Sequence, residues 1–452
     1  MAIGSSYMQR TQTAGNQKTW TVSMWVKRGD VETQQCLMSV EDGAAYVLFK
    51  FNASEYFEWR GETGAARFIT TRVFRDPGAW YHIVVACDTT ESVEADRFKI
   101  YINGVQETDF GTETYPALNS DTYVNKSGGY LRVGSDEVPG SYLNGCMSWV
   151  QLVDGAALAP TEFGSVDATS GIWKIKPGAY ATPGTNGFCL AMEDRTNLDL
   201  DTSSNAHTFT TTGTPTATYD NPSNNFCTLN PIQMSDPSAN YVLSQGNNTL
   251  TVTSNDFMRQ VGLTINPLGL KGYFEFKCVA DSNYQVQFQD ATVKLYKKNY
   301  ESLASGGMYF LTWGDLNFSN GGSSGTLTSA YFASPGAAEG DIMGCAFDFS
   351  GSNRDVWFHR NGTYGNNGSG VGVPSTGAYP AFSASLLLLT TDWEIIFASN
   401  SGTTCTTAFN FGNGYFGTTA ISSAGTNASG IGEFEYDVPT GFTALSTKGL
   451  NV

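Results

Sequence analysis

Charge is what this chain has least of, and positive charge least of all. Of its 452 residues 15% are charged, and 25 Lys and Arg stand against 42 Asp and Glu, a formal net charge of −17. A surface of that sign repels phosphate and no basic cluster offsets it, so nucleic acid is excluded as a partner. Histidine is scarce as well. His82, His207 and His359 are the three copies, far apart and in no metal-ligand spacing. Long apolar runs are missing too: the four leucines at 386–389 are followed by TTDWE, too short to span a bilayer, and membrane insertion is not expected. The start, MAIGSSYMQRTQTAGNQKTW, has no apolar stretch of secretory length. The expectation is synthesis in a cytoplasm, and triplets such as Asn52-Ala53-Ser54 then carry no weight as glycosylation sites.

Signatures of chemistry are equally thin. No Walker loop, dinucleotide fingerprint or G-x-S-x-G elbow occurs. The eight cysteines, Cys36, Cys87, Cys146, Cys189, Cys227, Cys278, Cys345 and Cys405, are scattered singly. Without a CxxC pair, and with several inside apolar runs such as VVACD and IMGCAF, they read as buried reduced thiols.

What is present is glycine, 50 copies, with 13% aromatic and 40% hydrophobic residues. Many positive-φ corners and few long charged side chains describe a turn-rich all-β protein, and the length asks for two domains. Short segments rich in β-branched and aromatic residues recur from the start: TWTVSMWVKR, YVLFKF, WYHIVVACD, RFKIYINGV, GYLRVG and LNGCMSWVQLVDG. In RFKIYINGV, Phe98, Ile100 and Ile102 point one way and Arg97, Lys99 and Tyr101 the other, a strand with one buried face. A Thr-rich, Pro-punctuated segment, TSSNAHTFTTTGTPTATYDNPSNN, then reads as a connector, although GFCLAMED within the weaker stretch is a possible strand of the first domain. Strands resume with KGYFEFKCVA, YQVQFQ, GDIMGCAFDF, DVWFHRNG, DWEIIFAS and TAFNFG. Two tandem antiparallel β-sandwiches are expected: 1–165, a connector over 166–225, and 226–452.

Each half contains the same piece: an apolar strand ending in Asp, a polar turn, an alternating strand and an Asn-Gly corner. The second copy, GDIMGCAFDFSGSNRDVWFHRNG at 340–362, clusters oxygen around Asp348, Ser350, Ser352, Asn353 and Asp355. A calcium loop needs Gly at its sixth position and a bidentate acid at its twelfth. Counted from Asp348 those positions are Asn353 and His359, so a hairpin turn is expected.

These residues resemble two known families. WYHIVVACD with RFKIYINGV, YLRVGS and LNGCMSWVQLVDGAALAPTEF resemble the laminin-G-like, concanavalin-A-like jelly roll. KGYFEFKCVA, GDIMGCAFDF, VWFHRNG, YPAFS and FNFG resemble the SPRY domain, with ADSNYQVQFQ standing where SPRY domains often carry a glycine-rich run. The tandem, with NNFCTLNP in the middle and EYDVPTGFTALSTKGLN at the end, resembles tail-fibre or structural virion proteins of tailed bacteriophages. The resemblance implies a non-enzymatic component displayed on the particle exterior, a fibre or decoration subunit that attaches to host-surface glycans or a receptor. Its partners would be other virion proteins. A homotrimer is expected from fibre architecture in general, with no heptads to specify it. A ligand-free capsid or tail component, a bacterial surface adhesin and a glycan-degrading enzyme are the alternatives.

Candidate site residues are few. An enzyme of the glucanase branch needs paired carboxylates on one strand face. Glu433, Glu435 and Asp437 in GEFEYDVP alternate that way, as do Asp199 and Asp201 in NLDLD, and each set reads better as a solvated or loop face. His82 and His359 read as strand packing. For sugar binding, Trp59 in EYFEWRGETG and Tyr364 in RNGTYGNNGSG are the candidate aromatic platforms. No cofactor is expected. Calcium, which the laminin-G-like resemblance implies, would fall to Asp136 and Glu137 after LRVGS.

Overall fold

Alternation decides the sheets. In Phe98–Ile102 the odd-numbered side chains are half-buried while Phe98, Ile100 and Ile102 are buried, as the sequence pattern requires. The computed structural model describes residues 2–3, 5–43, 45–61, 66–234, 241–253, 260–280, 284–290, 307–311, 316–320, 323–328, 331–332, 338–351, 354–383, 393–399 and 404–449. Among them there is no α-helix, and the elements are β-strands with short 3-10 turns such as Pro160–Glu162. The chain divides into two units, Met1–Ser223 and Asn224–Val452.

In the first unit an eight-stranded sheet runs Phe110–Thr114, Arg67–Val73, Tyr56–Arg60, Tyr46–Phe51, Gln35–Glu41, Tyr130–Val133, Tyr7–Thr11 and Thr210–Thr212. It faces a seven-stranded sheet centred on Gly145–Asp154, Thr19–Arg28 and Trp80–Asp88. Strand neighbours in both are antiparallel. Between the sheets lies an apolar core that includes Trp20, Val22, Met24, Phe49, Trp59, Phe68, Ile83, Val85 and Phe98. This is the two-layer solution for strands with one apolar face.

The segment expected to connect the domains belongs to this unit. Phe188–Leu190 pairs with Gly145–Asp154, Thr210–Thr212 pairs with Tyr7–Thr11, and Gly164–Val166 forms a hairpin with Trp173–Ile175. Several of its polar residues, Asn186, Asp201 and Asp220 among them, are buried. Trp25, Trp80, Cys146 and Trp149, on the side of the seven-stranded sheet away from the core, pack with Cys189, Ala191 and Trp173. Asp220 is buried there, bonded to Lys27 Nζ at 2.8 Å and to Trp80 Nε1 at 3.0 Å.

The second unit repeats the scheme. An eight-stranded sheet runs Tyr241–Ser244, Thr249–Val252, Cys405–Asn410, Lys271–Ala280, Ile342–Asp348, Asp355–Arg360 and Thr363–Tyr364, with Thr443–Ala444 parallel to Lys271–Ala280. A seven-stranded sheet contains Gln260–Leu263, Trp393–Ser399 and Tyr284–Asp290. Phe274, Phe276, Met343, Cys345, Phe347, Phe358 and Phe409 build the core. The related hairpins of the two halves are real: both Asn-Gly corners, Asn103-Gly104 and Asn361-Gly362, hold positive φ at both residues, the turn that suits strand twist. All eight cysteines are buried free thiols.

Removing Asp220 takes away the carboxylate that pairs with the buried Lys27 ammonium at 2.8 Å. Asp220→Ala is expected to destabilise the first unit by about 3–5 kcal/mol, and the pair Lys27→Met with Asp220→Leu to recover much of it. Urea unfolding followed by tryptophan fluorescence reads both, and an unchanged midpoint for Asp220→Ala would count against the ion pair as the lock on this layer.

Candidate functional site

The far side of the seven-stranded sheet in the first unit is covered, and on the outer face of the eight-stranded sheet Tyr130 and Thr11 are exposed while Ser39, Lys50, Glu58 and Arg132 are buried. Register fixes what it displays. Tyr130 stands opposite Thr11 and Glu41, and Arg132 opposite Gln9 and Ser39. Gln9 is in turn opposite Thr210, and Glu41 opposite Tyr46. Leu131 and Val133, one residue out of step, enter the core.

Around Tyr130 the surface sinks into a depression of about 340 Å³ lined by Gln9, Arg10, Thr11, Tyr130, His207, Thr208 and Thr210. Tyr130 is 46% exposed. The Arg132 guanidinium lies 5.8 Å from its ring centroid, donates to the Glu137 carbonyl at 2.8 Å and pairs with Glu41 at 3.1 Å. A second such pair follows along the face, Arg60 at 5.1 Å over Tyr46. Three polar atoms within six residues, Arg132 Nε, Asp136 Oδ1 and Glu137 Oε2, are buried without a hydrogen-bond partner. Such atoms cost free energy unless something bonds them.

Of the residues singled out from the sequence, Asp136 and Glu137 lie beside this face, because their loop is tied to Arg132. As a calcium shell their donor set is incomplete. A hard cation takes six to eight oxygens, and among the described residues no group of three His, Cys, Asp or Glu is placed to hold a metal. Trp59 is corrected: it is fully buried, its ring 4.2 Å from that of Phe98, because its place opposite Phe49 and Phe68 puts it on the core side. Tyr364 is also no platform. It is half-buried with its ring edge on His359, and its hydroxyl is enclosed. Burial raises that hydroxyl above the ordinary tyrosine range.

For the carboxylate sets only the strand placement of residues 433–437 is corrected. Residues 433–437 form no strand, only a single bridge from Glu433 to Asn413. Glu435 accepts from Ser422, and Asp437 from the Thr426 amide and hydroxyl. Asp201 is buried under the amides of Cys189, Ser203 and His207, and Asp199 takes the Thr211 hydroxyl. These groups organise loops. In the hairpin over 340–362, Asp348 stands opposite Asp355 but is paired with Lys271 at 2.7 Å; Ser352 and Asn353 lie outside the described residues, as do the leucines at 386–389.

Residues 3–162 match the family model described as the Concanavalin A-like lectin/glucanases superfamily. The first unit carries a concanavalin-A-like domain. No curated protein matches the chain. Among solved structures, a putative carbohydrate-binding protein from Bacteroides ovatus is similar at 15% identity over 47% of this chain and 57% of its own, TM-score 0.32. The TRIM65 PSpry domain is similar at 12% over 41% and 88%, TM-score 0.27. The enzymatically active domain of bacteriophage CBA120 tailspike protein 2 is similar at 14% over 35% and 25%, TM-score 0.25. Likenesses this distant carry no argument about ligand or activity.

His82 and His359, one in each unit, are buried and packed. In the concanavalin-A-like domain His82 is stacked on Trp25, ring centroids 4.6 Å apart, and its Nδ1 takes the Trp173 indole N–H at 2.9 Å. An indole only donates, so Nε2 carries the proton and points it at Ser23 Oγ, 2.9 Å away. That is the reverse of what a serine nucleophile needs. In the second unit a directed chain runs from the Gly362 amide to His359 Nδ1, from His359 Nε2 to the Tyr273 hydroxyl at 2.6 Å, and from that hydroxyl to Glu275 at 2.9 Å. Glu275 also accepts the amides of Glu435 and Tyr436, each at 2.8 Å. Gly344 is required beside it, since a Cβ there would meet His359 Nε2.

Sequence reasoning missed Tyr130 and Arg132. The signal was there in GYLRV, where alternation puts Tyr and Arg on one side and Leu and Val on the other.

Burial lifts Glu275 from its ordinary 4.5 to about 7. Between those values the folded chain holds a proton that the unfolded chain releases, so the stability this proton carries is present below pH 4.5 and lost as pH rises to 7. His359 acts oppositely. Burial takes it from 6.5 to about 3, so its contribution is lost as pH falls through that range. Glu275→Gln is expected to remove the falling limb and keep the histidine limb, read as denaturant stability against pH; curves parallel to the parent would contradict it.

Proposed function

We propose that the chain is a non-enzymatic glycan-attachment protein, with the outer face of the concanavalin-A-like domain as its sugar-binding surface. The observation that carries this reading is the face around Tyr130. It combines an exposed aromatic ring with a cation alongside and hydroxyl and amide groups from Gln9, Thr11, Thr208 and Thr210. A sugar ring has an apolar C–H face for the aromatic and hydroxyls for the polar rim, and sites of this composition suit it.

Against catalysis stands the state of the candidate groups. The carboxylates are engaged in loop amides and hydroxyls, and the buried imidazole facing a serine holds its proton on the wrong nitrogen. In this reading the second unit is a SPRY-like sandwich. The whole is a fibre or decoration subunit on the exterior of a bacteriophage particle, oligomeric and contacting other virion proteins and the host surface. The motifs along both halves and the order of the two sandwiches support that placement.

Tyr130→Ala is expected to weaken binding on a glycan array about tenfold, the loss of one ring contact, with the melting temperature kept. Full binding by Tyr130→Ala would remove this face as the site. Mass spectrometry of purified particles tests the placement, and absence of the protein from them would overturn it.

A further inference from the structure

From Asn361 to Thr391 the sequence holds no charged residue, in a chain whose net charge is −17. Within this stretch the loop 365–380 of the second unit is rigidly built. Asn366 bridges Val371 and Val373 bridges Ala378. Asn367 gives its amide N–H to the Pro380 carbonyl at 2.9 Å and takes the Ser369 amide at 2.9 Å. Trp357, itself buried in the neighbouring strand, ties the loop down with an indole bond to the Ala378 carbonyl at 2.9 Å.

This frame displays Tyr379. The residue is 46% exposed and sits at φ 49°, left-handed backbone that a bulky side chain rarely adopts and that costs free energy. Its ring lies flat against Gly370, where any Cβ would come within 2.7 Å of the ring. Glycine at 370 is thus what lets the ring lie down. Val371 and Val373 flank it as exposed apolar side chains, and Ser369, Ser375 and Thr376 are exposed among them. Strain of this kind persists where the surroundings hold it in place, and here they hold an aromatic face outward.

We propose that the loop 365–380 is a second, separate binding site, for the uncharged pyranose rings of a neutral polysaccharide, with Tyr379 as the stacking platform. The match is chemical. An aromatic face edged by small hydroxyl and apolar groups, with no ion to pair, fits a ring with an apolar C–H face and neutral hydroxyls. An acidic polymer finds no cation in the loop.

The full chain is run in affinity electrophoresis through gels containing soluble mannan, dextran or galactan, with alginate as the acidic comparison. The expected result is retardation by a neutral polymer that persists in Tyr130→Ala. In that background Tyr379→Ala weakens it about tenfold and Tyr379→Phe retains it, since the ring face rather than the hydroxyl makes the contact. Tyr379→Gly separates folding from binding: glycine accepts positive φ without strain, so this variant keeps its melting temperature and loses retardation. Retardation by alginate alone, none by any neutral polymer in the Tyr130→Ala background, or equal retardation of Tyr379→Ala and its parent would each overturn the proposal.

Discussion

Each unit buries one face more than a two-sheet sandwich requires, and its polar interior follows from that. A jelly roll is stable with each sheet apolar on one side and wet on the other. Here an irregular cover from the C-terminal part of each unit lies over the second side of one sheet. In the first unit, the segments that carry Trp173 and Asp220 lie over Trp25, Trp80 and His82. In the second, Phe434 packs on Tyr273, and the backbone of Glu435 and Tyr436 is held by Glu275. Irregular backbone cannot satisfy itself through a ladder, so side chains must do so. The buried charges and imidazoles are the solution to that constraint.

The same constraint fixes the state of the buried imidazoles. An imidazole in a dry layer is forced neutral, and His82 and His359 both fall to about 3 through burial. Each then needs one donor and one acceptor in fixed positions, which sets its tautomer. Trp173 and the Gly362 amide supply the donors. A group locked this way has no freedom to exchange a proton with substrate at neutral pH. In the proposed reading, ligand binding is left to the surfaces that the covers do not reach.

Where the pattern depends on a strand's own alternation, the fold was legible in the residues. RFKIYINGV, both Asn-Gly corners and the core phenylalanines of FEFKC sit as their spacing requires. Residues 166–223 were harder, since polarity is ordinarily a sign of solvent. Asp201, Asn186 and Asp220 are instead buried, bonding backbone and cations across long sequence separations that local reading does not see. Trp59 failed for a related reason: a polar turn nearby says nothing about which face a strand residue takes, and its register against Phe49 and Phe68 does. Tyr379 had no local signal, since a left-handed tyrosine is specified by Gly370 beneath its ring and by the bridges that close its loop.

Net charge also shapes how such a protein meets a surface. At −17 the chain repels bacterial and other polyanions, but at physiological ionic strength that repulsion is screened beyond about 8 Å. It slows approach without preventing contact. Attraction must then come from short-range terms, aromatic stacking and hydrogen bonds, each small and each independent of steering. A single weak contact of that kind gives brief residence. Repeated on one oligomer, it gives retention through effective concentration. In the proposed reading, exposed tyrosines on rigid β frames of an acidic chain make attachment depend on copy number more than on the strength of any one site.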